Sequence, residues 1–336
     1  MGTTIGRTKA VSLAIAGALA LPGFGVVASG PAPVPEQYVN EAPEEGVDWS
    51  SARAALGKRL FEDRRLSRDS TVACSDCHRA DLAFTDGVAR AKGVGGQVGP
   101  RNSPTLVNRA LGQTQFWDGR SRTLEDQAPG PITSAAEMGL DAKEAVARVA
   151  ADPGYRRSFR QAFGGAPTME RMAQAIGAYE RTIYSVDAPF DRFMAGEQAA
   201  LSAPAQRGLK LFGGKARCGE CHAGANFTDE QFHALGLQGD AGRGTVTKDP
   251  KDQGRFKTPT LREVARTAPY MHDGSIPTLL EVIDYYDRGG AEHPNLDPKM
   301  TKLSLTREEK EDLVAFLHSL SGQVVELQME TGEISR

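Results

Sequence analysis

The chain has 336 residues, 40% apolar and 25% charged, a balance that excludes a wholly disordered polypeptide. Forty basic against 43 acidic side chains leave a formal charge of -3, which argues against a dedicated nucleic-acid binder. Only 13 Phe, 7 Tyr and 2 Trp are present, so something other than side chains is expected to fill part of the core.

The N-terminus has the pattern of a secretory signal. Arg7 and Lys9 precede an apolar stretch at 10–20, which Pro22 and Gly23 end. Residues 1–30 are read as a cleaved signal peptide, which places the mature chain in the periplasm of a Gram-negative source. The competing reading is an uncleaved anchor, but the stretch is short and broken. No later segment is apolar enough to span a bilayer.

A first unit follows. Gly57-Lys-Arg-Leu-Phe61 leads to CSDCH at 74–78 and then to Phe84-Thr85-Asp86. A Gly/Pro-rich loop covers 87–135. Helical periodicity runs through 141–151 and 170–185. Pro189, Gly196 and Pro204 interrupt the pattern at 186–204, where a domain boundary is expected. The second unit repeats the first, with Gly208-Leu-Lys-Leu-Phe212, then CGECH at 218–222, then Phe227-Thr228-Asp229. Another loop covers 236–260. The last helix is amphipathic over 307–320, with Thr306 and Glu309 forming a capping box. No convincing strand pattern is visible. The fold class is therefore all-α: two domains with long loops, at 31–190 and 191–325, and a tail at 326–336.

All four cysteines, Cys74, Cys77, Cys218 and Cys221, lie in the two C-x-x-C-H motifs. C-x-x-C alone allows a disulfide, a redox dithiol or a zinc site. The following histidine decides for two covalently bound c-type haems, with thioethers from the cysteines and iron ligation by His78 and His222, so the two all-α domains are read as cytochrome c-like haem domains.

At this point the sequence resembles the bacterial di-haem cytochrome c peroxidase/MauG family. The motifs that carry the resemblance are RNSPTLVN (101–108), FWDGR (116–120), KTPTLREV (257–264) and APYMHDG (268–274), together with both haem motifs. It spans about 50 to 321. It implies a peroxide-reactive N-terminal haem and an electron-storing C-terminal haem. It also implies Trp117 between the haems, with Gln127, Pro131 and Glu137 on the distal side. A carboxylate held in a dry pocket can move a proton between the two peroxide oxygens. Read without the family, Glu137 is a helix N-terminal carboxylate behind Thr133 and Ser134. The resemblance further implies one Ca²⁺ held by Asn102, Thr267 and Pro269, and His272 near a haem propionate. Read alone, Asn102 makes a turn before Pro104.

Two positions depart from the family's peroxidases. The loop histidine that caps the first haem is replaced by Val94, and no histidine lies between residues 79 and 221. The first haem is thus expected to be open as isolated, unless Lys92 or Met138 substitutes. The axial Met of the second haem is replaced by Tyr286, as in the MauG-like branch, with Met271, Met300 and Tyr285 as alternatives. A phenolate ligand stabilises oxidised iron. His233, His293 and His318 are read as surface or loop residues.

The resemblance implies a peroxidase that uses hydrogen peroxide to reach a high-valent di-haem state and oxidises a residue of a partner protein. The alternatives are peroxide reduction with electrons from a small cytochrome c or cupredoxin, and a non-enzymatic electron carrier. The branch carries a surface Trp six residues before its second haem-ligating His. Here that position is Ala216, and the only tryptophans are Trp49 and Trp117.

Overall fold

A computed structural model describes residues 51–327. The signal segment, Trp49 and most of the tail lie outside the described residues. Two packed helix pairs organise the rest. Helix Ser51–Phe61 crosses helix Met169–Glu180, and helix Ala203–Gly213 crosses helix Arg307–His318. Each crossing is made at a glycine. A Cβ at Gly57 would lie 1.8 Å from the Ala175 carbonyl oxygen, and one at Gly208 would lie 2.0 Å from that of Asp312. Only a residue without a side chain lets the backbones approach this closely.

Each pair carries its own core. Leu60, Phe61, Met172, Ile176 and Phe159 fill the first. Phe212, Phe227, Phe316 and Leu313 fill the second. Phe61 meets Tyr179 edge-on at 5.2 Å, and Phe212 meets Phe316 at 5.0 Å. The two phenylalanines that precede the haem motifs are thus the anchors of the two cores. A buried ion pair between Arg262 and Asp191 (2.8 Å) braces the second core.

The capping expectation holds, since Thr306 and Glu309 form a reciprocal box. Asp141, not singled out from sequence, caps helix Ala142–Ala151. Other expectations need correction. The helix expected over 170–185 ends at Glu180, because Ile183–Val186 instead pairs antiparallel with Gln323–Glu326. A second two-stranded sheet joins Phe232–Ala234 to Arg255–Lys257. These strands of three or four residues are too short to show an alternation. Pro189 opens the helix Pro189–Met194 as its first residue, where proline is well tolerated. Among the described residues, no helix is long and apolar enough to cross a membrane.

Candidate active site

Each C-x-x-C-H motif follows the first helix of its pair. Cys74–Cys77 forms one helical turn, and His78 closes it by donating its backbone N–H to the Cys74 carbonyl (2.9 Å). His222 repeats this with Cys218, also at 2.9 Å. The chain then folds back in both copies. His78 Nδ1–H donates to the Phe84 carbonyl (3.0 Å), and His222 Nδ1–H donates to that of Phe227 (2.9 Å). Phe84 and Phe227 both have positive φ, 59° and 52°, which turns their carbonyls inward. Occupying Nδ1 fixes the tautomer that leaves Nε2 as a metal ligand. Burial lowers both imidazole pKa values and keeps the rings neutral.

The repeat extends further than the motifs. Ser103-Pro104-Thr105-Leu106 corresponds to Thr258-Pro259-Thr260-Leu261. Thr105 Oγ1 donates to the Ala83 carbonyl (2.6 Å), and Thr260 Oγ1 donates to that of Asn226 (2.7 Å). Each threonine pins the residue just before the inward-turned phenylalanine. The S/T-P-T-L pair was readable as a repeat in the sequence and passed unnoticed there.

Both motifs open onto one cavity of about 690 Å³. All four cysteines are unbridged. Burial pushes the Cys77 and Cys218 thiols up to about 12, and Cys74 higher still. Four free thiols, two neutral imidazoles presenting Nε2 and walls from both cores fit two covalently attached haems.

Gln127, Pro131 and Glu137 line the cavity near the first motif. Gln127 ends the short helix Leu124–Gln127, and Pro131 lies in the next, Pro129–Thr133. Ser134 caps the C-terminus of that second helix, and Glu137 lies in the turn beyond. The reading of Glu137 as a helix N-terminal carboxylate therefore fails. Burial raises its pKa, against the opposing pull of Arg120 and Ser134. The Glu137 carbonyl accepts from the Val94 backbone N–H (2.8 Å). Val94 itself is fully buried, Lys92 points to solvent, and Met138 is a core residue that touches the cavity.

Trp117 lines the cavity and donates its indole N–H to the Asn102 carbonyl (2.9 Å). The Trp117 carbonyl accepts from the Lys257 backbone N–H (2.8 Å). Asn102 also donates its backbone N–H to the His272 carbonyl (2.8 Å). Asn102, Thr267 and Pro269 all line the cavity. His272 stacks on Phe256 at 3.6 Å, and burial lowers its pKa to about 4, leaving it neutral.

Several cavity residues were not singled out from sequence. Arg101 pairs with Asp118 and Asp240, and Arg109 with buried Glu230. Lys257 reaches Glu230 at 3.5 Å and hydrogen-bonds the Thr114 carbonyl, and burial lowers its pKa. As isolated charges in loops they carry no sequence signal of burial. His233 is not the surface residue expected. It is held between Asp297 (2.7 Å) and Asp229 (3.0 Å) beside Cys221. A contact with the Cys221 sulfur raises its pKa, burial opposes, and the two carboxylates raise it further, to about 9.

Around the second motif, Tyr286, Met271 and Met300 all line the cavity. Tyr285 is turned away, its hydroxyl donating to the Leu235 carbonyl (2.8 Å). Ala216 is buried in the second core and offers no surface ring.

Residues 51–199 match the di-haem cytochrome c peroxidase family, and residues 205–321 match cytochrome c. The methylamine utilization protein MauG of Methylorubrum extorquens is 42% identical, over 81% of this chain and 78% of its own. The cytochrome c551 peroxidase of Pseudomonas aeruginosa is 38% identical, over 87% and 84%. This chain belongs to the di-haem cytochrome c peroxidase family. Among solved structures, a MauG-like protein associated with microbial copper homeostasis is similar, with a TM-score of 0.75 and 36% identity over 88% of this chain and 93% of that one. As a family member, the protein is an oxidoreductase that acts on hydrogen peroxide and carries two c-type haems. It works with a protein partner or electron donor.

Proposed function

We propose that this peroxidase is MauG-like: a periplasmic enzyme that delivers the oxidising power of hydrogen peroxide to a residue of a partner protein. The observation that carries this reading is Tyr286. Its hydroxyl has no hydrogen-bond partner among the described residues, whereas that of Tyr285 is engaged. Burial raises the Tyr286 pKa, so the side chain stays protonated unless a strong positive charge lies close by. A haem iron held by His222 would provide that charge, and Tyr286 is the residue that would bind it in this reading. Val94, which has no ligating atom, supports an open N-terminal site, and solvent-facing Lys92 does not replace the missing histidine.

When bound, the haems supply peroxide activation and electron storage, which no side chain of this chain can provide. His78 and His222 would hold the iron of the two haems through Nε2. Glu137 takes a proton from one peroxide oxygen and returns it to the other. Gln127 and Pro131 shape the wall around it and limit water. Trp117, fixed by Asn102 and Lys257, bridges the two halves of the cavity. Its ring provides the path for electrons between them.

Calcium belongs to the same proposal. The Asn102 amide nitrogen donates to the Val88 carbonyl (2.9 Å). That leaves its side-chain oxygen, with the Thr267 and Pro269 carbonyls, for a hard cation.

The second reading is peroxide reduction with electrons from a small cytochrome c or cupredoxin. Met300 and Met271 favour it, since both line the cavity and either thioether would raise the potential of the second haem. The deciding experiment adds one equivalent of hydrogen peroxide to the fully ferric holoenzyme without reductant. Prompt, lasting loss of the ferric EPR signals is expected. A protein that stays inert until one haem is reduced would sink the MauG-like reading.

A further inference from the structure

The two halves correspond residue by residue through their close-packed glycines. Gly57 faces the Ala175 carbonyl and Tyr179 Cβ, and Gly208 faces the Asp312 carbonyl and Phe316 Cβ. Ala175 therefore matches Asp312, and Tyr179 matches Phe316. The next residue of the first half, Glu180, matches Leu317. Both line the haem cavity. In the second half this wall position is apolar, as in most cofactor pockets. In the first half it is a carboxyl only 4% exposed, whose Oε2 has no hydrogen-bond partner.

The cations near Glu180 are already committed. Arg181 pairs with Glu125, and Arg109 pairs with Glu230. Cys74, also nearby, is used in haem attachment. An ionised carboxylate left without a partner in such a place is strongly disfavoured. Burial accordingly raises Glu180 to about 8, with Arg181 opposing, Glu125 reinforcing and Arg109 opposing. Glu137, on another wall of the cavity, is a separate carboxyl with its own neighbours, Arg120 and Ser134.

We propose that Glu180 is a proton-exchanging positioning residue of the first haem's site, which binds a proton when that haem gains an electron and releases it when the electron leaves. The exchange balances. Oxidation sends one electron from the haem to an electrode and up to one proton from the Glu180 carboxyl to water, and reduction returns both. The proposal does not depend on which partner the enzyme serves.

The test uses the holoenzyme with both haems. Spectroelectrochemical titration from about pH 6 to about pH 10 brackets the ionisation. The wild-type potential of the N-terminal haem is expected to fall with pH by up to tenfold in equilibrium constant per unit, which is 59 mV for one electron. Glu180→Gln and Glu180→Leu, the latter copying Leu317, should both remove this slope. Neither should alter the pH profile of the C-terminal haem. A redox-difference infrared spectrum of the wild type should show a protonated carboxyl band that is lost on oxidation, and that band should be missing from Glu180→Gln. A variant slope that superimposes on the wild type overturns the proposal. So does a wild-type infrared spectrum with no redox-linked carboxyl band, which settles the matter even if neither variant folds.

Discussion

Glu137→Gln is expected to slow the reaction with peroxide severely while leaving the haem sites intact. Gln copies the shape of Glu137 and keeps a hydrogen-bonding head, but it cannot accept a proton. Two substitutes are removed, and the Glu180 carboxyl, which also lines the cavity, is the one whose compensation the assay would detect. Val94 is fully buried in place of a loop histidine, and Lys92 points to solvent. Losing a positioned acid–base group costs about 10²- to 10⁴-fold. At about 1.4 kcal/mol per tenfold, that is about 3 to 5 kcal/mol of transition-state stabilisation. The assay is stopped-flow mixing of ferric holoenzyme with peroxide across a pH series. Proton abstraction needs the carboxylate form. Burial raises this carboxyl, so the wild-type rate should rise with pH through a point above the ordinary glutamate range. Glu137→Gln should be slow and flat over the same interval. Arg120 pulls the carboxyl down, so Arg120→Gln should move the wild-type rise to higher pH. A Glu137→Gln enzyme within about threefold of wild type, against the expected hundredfold or more, would refute the role of this residue.

Three further outcomes are expected. Tyr286→Met should raise the reduction potential of the C-terminal haem and leave the N-terminal one near its wild-type value, as read by redox titration; an unchanged potential would count against Tyr286 as ligand. Gly208→Ala should destabilise by about 3 kcal/mol, the upper end for overpacking, because the new Cβ lies 2.0 Å from the Asp312 carbonyl oxygen; a melting temperature equal to wild type would contradict the close crossing. Asp191→Ala should cost about 3 kcal/mol in denaturant unfolding, since it removes the carboxylate that pairs with the Arg262 guanidinium, whose side chain is 1% exposed and whose Nε also donates to the Ala225 carbonyl; a loss below about 1 kcal/mol would place that pair in the weak, solvent-screened class.

What the sequence disclosed was local. The C-x-x-C-H spacing, the Thr306–Glu309 capping box and the paired Gly-x-x-x-Phe segments act over a few residues, and each was legible. The strand Ile183–Val186 was not. Its apolar residues continue the face of the preceding helix, and only pairing with Gln323–Glu326, about 140 residues away, turns them into a strand. Glu180 was missed for a related reason. An acidic residue at a helix end normally faces water, and here the crossing of two helices at Gly57 turns it toward the cavity instead. Arg109, Glu230 and Lys257 are ordinary charges in loops until folding brings them together. His233 looked like a surface residue because its two carboxylate partners are four and 64 residues away.

The division of labour between the haems follows from what the repeat leaves unequal. Helix crossing, haem motif, inward-turned phenylalanine and pinning threonine are the same in both halves, so none of them can distinguish one haem from the other. The differences lie in the walls. The first half faces its haem with Glu137 and Glu180, two buried carboxyls whose pKa values are raised. The second faces its haem with Tyr286 and, opposite the Glu180 position, Leu317. Carboxyls that hold or exchange a proton suit a centre where oxygen–oxygen cleavage needs proton movement. A wall without such carboxyls, with one unpaired phenol, suits a centre that changes charge without doing that chemistry. Trp117 occupies the position of His272 in the repeat, each preceded by a residue of positive φ and followed by Asp-Gly, and its ties to Asn102 in the first half and Lys257 in the second join the two halves.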